Sequence, residues 1–186
     1  MIMSLFDEFP SLSDDKIIIG KMSENDVGSL EEITENANVY RYIPPFLYRK
    51  SRGNLLAAIR NCGERDFIKK KHIIAGIYLK KRPDKLVGIA EMFDYRKRTN
   101  HITIGYKINE SYWNMGIAKA AVSLMREYLT EGCAISEINA YVVPENIYSA
   151  KALVSNGFIK TTETVEQKNW GKEASVFTDR YVYIRR

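Results

Sequence analysis

The sequence has few cysteines, few prolines and no long hydrophobic run. Its two cysteines, Cys62 and Cys133, form neither a disulfide framework nor a set of metal ligands, so we predict free thiols and no metal site. The longest apolar run, 73–79, is too short to cross a membrane. Residues 1–10 are acidic and lack the basic and apolar regions of a signal peptide, which predicts a cytoplasmic protein without a membrane segment.

The length and the charge of the chain limit its possible partners. With 186 residues, 45% of them hydrophobic, we predict a single domain over 1–186 with a loose N-terminal segment at 1–15. The net charge of +5 favours anionic partners, either a polyphosphate cofactor or nucleic acid. Basic residues do not recur along one helix face, which argues against nucleic acid. The sequence is compatible with a monomer or a homodimer.

The order of the predicted elements indicates the fold class. Residue patterns predict strands at about 16–19, 73–80, 86–94, 101–108, 135–142, 158–166 and 174–184. They predict helices at about 23–36 and 51–70, the second broken near Gly63, and two more on either side of the strand at 135–142. We therefore predict an α/β fold (an α+β mixed sheet) in which six to seven strands, antiparallel at first, carry helices on both faces.

The stretch 101–128 contains the first candidate binding site. Ile102, Ile104, Tyr106 and Ile108 alternate with polar or small residues, as in a strand with one packed face. A turn at 114–118 then opens a helix whose free backbone N–H groups and dipole attract a phosphate. Gly116 allows close approach because it has no side chain. An ordinary strand-to-helix connection is the alternative, since a G-x-A triplet alone is weak evidence.

Two linked motifs resemble a known family over residues 86–160. The first, 112–118, is similar to the pyrophosphate-binding turn of the GNAT N-acetyltransferases, in the ribosomal-protein alanine N-acetyltransferase branch (RimJ/RimL type). The second, 144–149 with 153–158, matches that branch's P-x-N-x-x-S…L-x-x-x-G-F segment. Four positions depart from the branch, which usually has Gly, a basic residue, Thr and Glu where this chain has Asn114, Met115, Lys119 and Ala120.

The resemblance implies an acetyl-CoA-dependent N-acetyltransferase that transfers the acetyl group to a primary amine by direct attack in a ternary complex. The acceptor is a protein N-terminus or a small-molecule amine. The two central strands, 101–108 and 135–142, splay apart, the pantetheine arm enters the gap, and backbone N–H groups at 138–140 polarise the thioester carbonyl. The expected coenzyme A contacts are Ile104, Tyr106, Asn114, Met115, Gly116, Ile117, Ala118, Lys119, Asn146 and Ser149. A non-catalytic acyl-CoA-binding regulatory module is the alternative.

Ser149 is the expected general acid, because the resemblance places a Ser or Tyr at this position near the cofactor sulfur. Asn146 lies three residues earlier on the same helix face and either contacts the pantetheine arm or caps the helix. Tyr148 is a weaker candidate acid, because its position is rotated by about 100° around the helix.

Glu91 is the candidate general base. It shares a strand face with Val87, Ile89 and Phe93, where alternation favours an apolar residue, and burial there would make it a stronger base. The alternative is a structural carboxylate paired with a nearby Lys or Arg. In the resembled branch a glutamate often occupies the position of Thr103, so either Glu91 has taken over its function or solvent removes the proton.

The stretch 39–49 places aromatic residues around two prolines and predicts a shaped loop. In the resembled family such a loop forms part of the acceptor pocket, which suggests Tyr40, Tyr42 and Phe46 as substrate contacts. A hydrophobic lid over the core is the alternative. Basic clusters at 69–71, 80–82 and 96–98 are either solvated loop charges or contacts for the 3′-phosphate of coenzyme A.

Overall fold

The computed structural model describes residues 3–44, 52–170 and 173–185. The strands are β1 Leu12–Ser13, β2 Ile17–Gly20, β3 His72–Leu79, β4 Arg82–Arg96, β5 His101–Ile108, β6 Glu137–Val142, β7 Ile159–Trp170 and β8 Glu173–Ile184. The helices are α1 Val27–Glu35, α2 Arg52–Arg60, α3 Asp66–Ile68, α4 Ile117–Glu127 and α5 Ile147–Val154.

The strands form one mixed sheet, which confirms the predicted α/β class. Its order is β1-β2-β3-β4-β5-β6-β8-β7. Neighbouring strands are antiparallel from β1 to β5 and again among β6, β8 and β7, whereas β5 and β6 are parallel. The sheet has eight strands instead of the predicted six to seven, because β1 forms within the segment that we expected to be loose.

The N-terminal segment is packed from residue 3 onward, which corrects the expectation of a loose segment at 1–15. Leu5 is only 2% exposed. The Met3 N–H donates to the Gly132 carbonyl at 3.0 Å, and the rings of Phe6 and Phe9 lie 5.7 and 5.2 Å from the ring of Phe67. Three apolar side chains in five residues are enough to dock a segment whose overall charge is acidic.

The sheet separates two hydrophobic cores. One contains Ile73, Ile77 and Ile102 with residues of α4 and α5, and the other contains Ile74 and Ile89 with residues of α1 and α2. Successive residues of β3 face opposite cores. Both faces of this strand are therefore covered, which explains why the run 73–79 is apolar throughout.

The helix starts and breaks follow local signals. The Asp26 carboxylate accepts hydrogen bonds from the N–H and the hydroxyl of Ser23, and this pair caps the short 3₁₀ turn, Glu24–Asp26, that leads into α1. The predicted break near Gly63 is a π-helical turn, Asn61–Arg65, which widens the helix between α2 and α3 without ending it. A second such turn, Tyr128–Gly132, extends α4.

The central strands β5 and β6 splay apart, as predicted. They pair at only three positions, His101 with Glu137, Ile102 with Ile138 and Thr103 with Asn139. Beyond these positions β5 continues to pair with β4, and β6 continues to pair with β8. The unpaired ends of β5 and β6 are the walls of a gap at the centre of the sheet.

Among the residues that the structure describes, no helix combines the length and the apolar character needed to cross a membrane.

Candidate functional site

The gap between β5 and β6 begins two residues later than expected on the β6 side. Ile138 and Asn139 lie in the short paired segment, so β6 is separated from β5 only from Ala140 onward. Of the positions 138–140, at which backbone donors were expected, only Ala140 lies beyond the paired segment. Parallel pairing slants its hydrogen bonds, and a strand that leaves such a ladder exposes its next N–H and C=O groups along the gap.

The turn at 114–116 has two residues in the left-handed region. Asn114 has φ +60° and Gly116 has φ +74°, and α4 begins directly afterwards at Ile117. Asparagine is one of the few residues with a side chain that adopts this conformation readily, so Asn114 can replace a glycine without loss of the turn. The Trp113 indole N–H donates to the Ile108 carbonyl at 2.8 Å and anchors the turn to the end of β5.

The α4 side chains expected at the cofactor differ in accessibility. Ile117 is buried in the core, and Ala118 is half-buried against the same core. Met115 and Lys119 are exposed. The turn therefore presents its backbone N–H groups, and Gly116 adds no side chain of its own at the helix start. These features fit the pyrophosphate of coenzyme A.

Lys16, at the start of β2, contacts this turn, which sequence reasoning missed. Its Nζ donates to the Met115 carbonyl at 2.9 Å and lies 2.8 Å from the position that a Cβ on Gly116 would occupy. Lys16 and Met115 are 99 positions apart, so no spacing pattern in the sequence connects them.

The start of α5 brings Ser149 to the gap. The Asn146 side-chain oxygen accepts the Ser149 N–H at 3.3 Å, so Asn146 caps the helix. The Ser149 hydroxyl accepts a hydrogen bond from the Tyr106 hydroxyl of β5 at 3.0 Å. Tyr148, by contrast, is 70% exposed. Of the two candidate acids, the structure brings Ser149, and not Tyr148, against β5.

Burial sets the protonation of Tyr106. Loss of water raises its pKa above the ordinary value, and the hydrogen bond to Ser149 acts in the opposite direction. Tyr106 is therefore protonated at neutral pH and can act as the donor to Ser149. Because a hydroxyl has one proton and two lone pairs, the Ser149 proton remains available for a second acceptor. Ile104, two residues earlier, is buried in the core with its side chain inaccessible.

Glu91, the candidate general base, forms an ion pair with Lys107. Its Oε2 lies 2.5 Å from Lys107 Nζ, and the Glu91 and Lys107 side chains are 18% and 4% exposed. The pair matches the structural alternative, in which a nearby Lys or Arg holds the carboxylate. Glu91 Oε2 also lies 3.3 Å from the position of a Cβ on Gly105, so this glycine lets the carboxylate reach over β5 at the edge of the gap.

The two groups of candidate catalytic residues approach the gap from opposite faces of the sheet. Tyr106 packs against the core that contains α4 and α5. Glu91 faces the same way as its β3 partner Ile74, which lies in the core with α1 and α2. A molecule in the gap can therefore be approached by an acid from one face and by a base from the other.

The loop after α1 is tied to the segment that precedes the turn. The Glu110 carboxylate accepts hydrogen bonds from the side-chain amides of Asn36 and Asn38, both at 2.9 Å. Tyr40 is half-buried against the core with α1 and α2, as the lid alternative predicts. The Arg41 guanidinium lies 5.2 Å from the Tyr42 ring centroid. Phe46 lies outside the described residues.

Cys62 and Cys133 are buried free thiols, and burial raises the pKa of Cys62 to about 12. Within 3–44, 52–170 and 173–185, no group of three or more His, Cys, Asp or Glu side chains is arranged to hold a metal ion.

Comparison with known proteins gives concordant matches. Residues 16–159 match the family model described as acetyltransferase (GNAT) domain. The uncharacterized N-acetyltransferase p20 of Bacillus licheniformis is 24% identical over 152 residues, covering 81% of this chain and 83% of that protein.

Two solved structures are similar in fold. The ribosomal-protein-S5-alanine acetyltransferase of Vibrio fischeri aligns with a TM-score of 0.79 at 15% identity, covering 95% of this chain and 97% of that one. The microcin C7 self-immunity acetyltransferase MccE, in complex with acetyl-CoA and AMP, aligns with a TM-score of 0.78 at 17% identity, covering 92% and 93%.

Proposed function

The chain belongs to the GNAT acetyltransferase family and is an acetyl-CoA-dependent N-acetyltransferase, and we propose that it acetylates the N-terminal amine of a protein. The motifs at 112–118 and 144–158 resemble the ribosomal-protein branch of that family. The fold shared with a ribosomal-protein-S5-alanine acetyltransferase supports the same acceptor class. Small-molecule amines are the alternative acceptors, and the experiment below includes them.

The observation that carries the proposed chemistry is the contact of Ser149 with Tyr106 beside the gap. Acetyl-CoA, when bound, supplies a thioester whose carbonyl carbon an amine attacks. On the α5 side, Ser149 Oγ, held by the hydrogen bond that it accepts from Tyr106 Oη, would give its proton to the coenzyme A thiolate that is released when the C–S bond breaks, and solvent would return a proton to the serine. One acid or base of this kind contributes roughly 10²- to 10⁴-fold to a rate.

On the other face, Glu91 receives the proton of the acceptor amine, directly or through water. Lys107 holds the Glu91 carboxylate over Gly105 in this proposal. The Lys107 ammonium already occupies one acceptor oxygen of this carboxylate, so solvent is the competing proton acceptor. Backbone N–H groups of β6 beyond Asn139 orient the carbonyl oxygen.

The acceptor loop in this proposal is the segment after α1, with Tyr40 and Tyr42 as contacts and Phe46 outside the described residues. The site of action is the cytoplasm, where acetyl-CoA is available. The protein is a monomer or a homodimer, which light scattering distinguishes.

The decisive experiment measures release of free thiol from acetyl-CoA with three acceptor panels: peptides with varied N-terminal residues, polyamines and amine antibiotics. We expect turnover with a subset of the peptides, and loss of that turnover when the peptide N-terminus is blocked. Turnover with the small amines alone would assign the other acceptor class. Acetyl-CoA binding without thiol release from any panel would favour the regulatory-module alternative.

A further inference from the structure

Lys16 occupies a position that the proposed cofactor site leaves without a cation. Residues 112–118 contain no basic side chain, and Lys119, the first one in the helix, is exposed. Lys16 comes from the start of β2 and donates to the Met115 carbonyl, in the middle of the turn. Its ammonium therefore lies at the turn that opens α4, although it belongs to a distant part of the sequence.

The backbone of Lys16 is held firmly. Asp14 Oδ1 accepts the N–H groups of Lys16 and Ile17, both at 2.7 Å. The Lys16 carbonyl accepts the Lys80 N–H at 2.9 Å. These bonds fix the backbone position from which the Lys16 side chain extends, which keeps its ammonium in contact with the turn.

The ammonium has capacity for a further partner. A lysine Nζ carries three N–H donors, and one of them is used by the Met115 carbonyl. It lies 2.8 Å from the position that a Cβ on Gly116 would take, so the ammonium fills the space that the missing side chain leaves at the helix start. A carbonyl and a phosphate oxygen can share one ammonium, because both are acceptors.

We propose that Lys16 binds the pyrophosphate of coenzyme A and supplies the cation that the turn itself lacks. This inference rests on the proposed function, since it assigns the turn to the cofactor. Lys16 contributes charge, while the backbone N–H groups of α4 contribute directed hydrogen bonds. The residue acts as a tether as well, because the same ammonium links β2 to the turn.

The test is a calorimetric titration of coenzyme A, dephospho-CoA and pantetheine, the last measured by its displacement of coenzyme A. Lys16→Met removes the ammonium and keeps the length of the side chain, whereas Lys16→Arg keeps the charge. Lys80→Met is the matched control, because Lys80 is an exposed neighbour on β3's end whose Nζ donates instead to Ser13 Oγ. Its backbone bond to Lys16 survives the substitution.

We expect Lys16→Met to weaken coenzyme A and dephospho-CoA about 5- to 30-fold, as for loss of one charge-assisted contact, and to leave pantetheine unchanged. Lys16→Arg should retain most of the affinity, and Lys80→Met should change it less than twofold. The affinity of the wild type should also fall more steeply with salt than that of Lys16→Met.

Several results would overturn the inference. One is an unchanged coenzyme A affinity in Lys16→Met, and another is an equal loss of affinity in Lys80→Met. A loss of affinity for coenzyme A without any loss for dephospho-CoA would place Lys16 at the 3′-phosphate instead. An equal loss of affinity for pantetheine would indicate a distorted turn. If Lys16→Met does not fold, Lys16→Gln is titrated in its place. A wild-type protein that does not bind coenzyme A would refute the proposed function, whereas normal binding in the folded variant refutes only the role of Lys16.

Discussion

At the scale of single residues, we expect opposite effects on turnover from substitutions at the neighbouring residues Ser149 and Tyr148. Ser149→Ala should lower kcat about 10- to 1000-fold with little change in acetyl-CoA affinity, because it removes the hydroxyl that contacts Tyr106 beside the gap. Tyr148→Phe is the matched control and should retain activity, since the Tyr148 side chain is largely exposed. Steady-state kinetics with calorimetric affinities would measure both. Wild-type turnover in Ser149→Ala would move the role to Tyr148 or to water.

Removal of the Glu91 carboxylate should change both the stability and the activity of the protein. If Glu91 were unpaired, the change to a neutral amide would lower the desolvation cost of the buried side chain. Because Glu91 is paired with Lys107, Glu91→Gln instead leaves a buried ammonium without its counter-charge. We expect a loss of about 3 kcal/mol in the free energy of unfolding. If Glu91 is the base, kcat/KM should also fall, most at low pH where few amines are neutral.

The double variant Glu91→Gln/Lys107→Met separates the two roles of Glu91. It removes both charges, so most of the stability should return. If Glu91 is catalytic, kcat/KM should stay low in this double variant even though its stability is restored. Recovery of activity together with stability, measured by urea unfolding and by pH–rate profiles, would show that the pair is structural and that solvent is the base.

At the scale of elements, the turn before α4 depends on two backbone conformations. Asn114 and Gly116 both have positive φ, so a β-branched residue at either position is strained. Gly116→Val should weaken coenzyme A binding at least tenfold, because the added side chain collides with the Lys16 ammonium and strains the turn whose N–H groups bind the anion. Asn114→Gly should bind normally, whereas Asn114→Val should not. Equal affinities for Asn114→Gly and Asn114→Val, measured by calorimetry on folded proteins, would contradict the role of the turn geometry.

The stability contributed by the hydrogen bonds between the loop after α1 and Glu110, in the segment before the turn, should depend on pH. The hydrogen bonds from Asn36 and then Asn38 hold the pKa of Glu110 below its ordinary value near 4.5. A lowered folded pKa contributes stability that is present above the ordinary value and is lost as the pH falls through the folded value. The wild type should therefore exceed Glu110→Gln in Tm at pH 7, and the difference should shrink below about pH 4. A constant difference from pH 7 to pH 3 would contradict this.

At the scale of the whole molecule, the N-terminal segment stabilises the fold. Leu5 is buried, so Leu5→Ala should lower the free energy of unfolding by about 2–5 kcal/mol through lost contacts and a cavity. Met3→Ala is the control, because Met3 is 40% exposed and should lose much less. Urea unfolding measures both. Equal urea midpoints for the two variants would indicate that this segment is loose, as its sequence suggests.

The sequence alone determined the features that depend on near neighbours. Alternation placed β5 at His101–Ile108. The turn at 114–118 and the cap at Asn146 were also recognisable, because a helix start is decided by the conformation and hydrogen bonds of a few consecutive residues. The family followed from these two local motifs.

Only the tertiary structure decided which distant side chains meet. Strand register brought Lys107 to Glu91, the approach of α5 to β5 brought Ser149 to Tyr106, and the position of β2 brought Lys16 to the turn. A helical or strand pattern specifies which face a side chain occupies, but the partner on that face depends on sheet order, register and packing between elements far apart in the chain. For this reason the sequence indicated the chemical groups of the site, whereas their pairing and the cation at the turn required the fold.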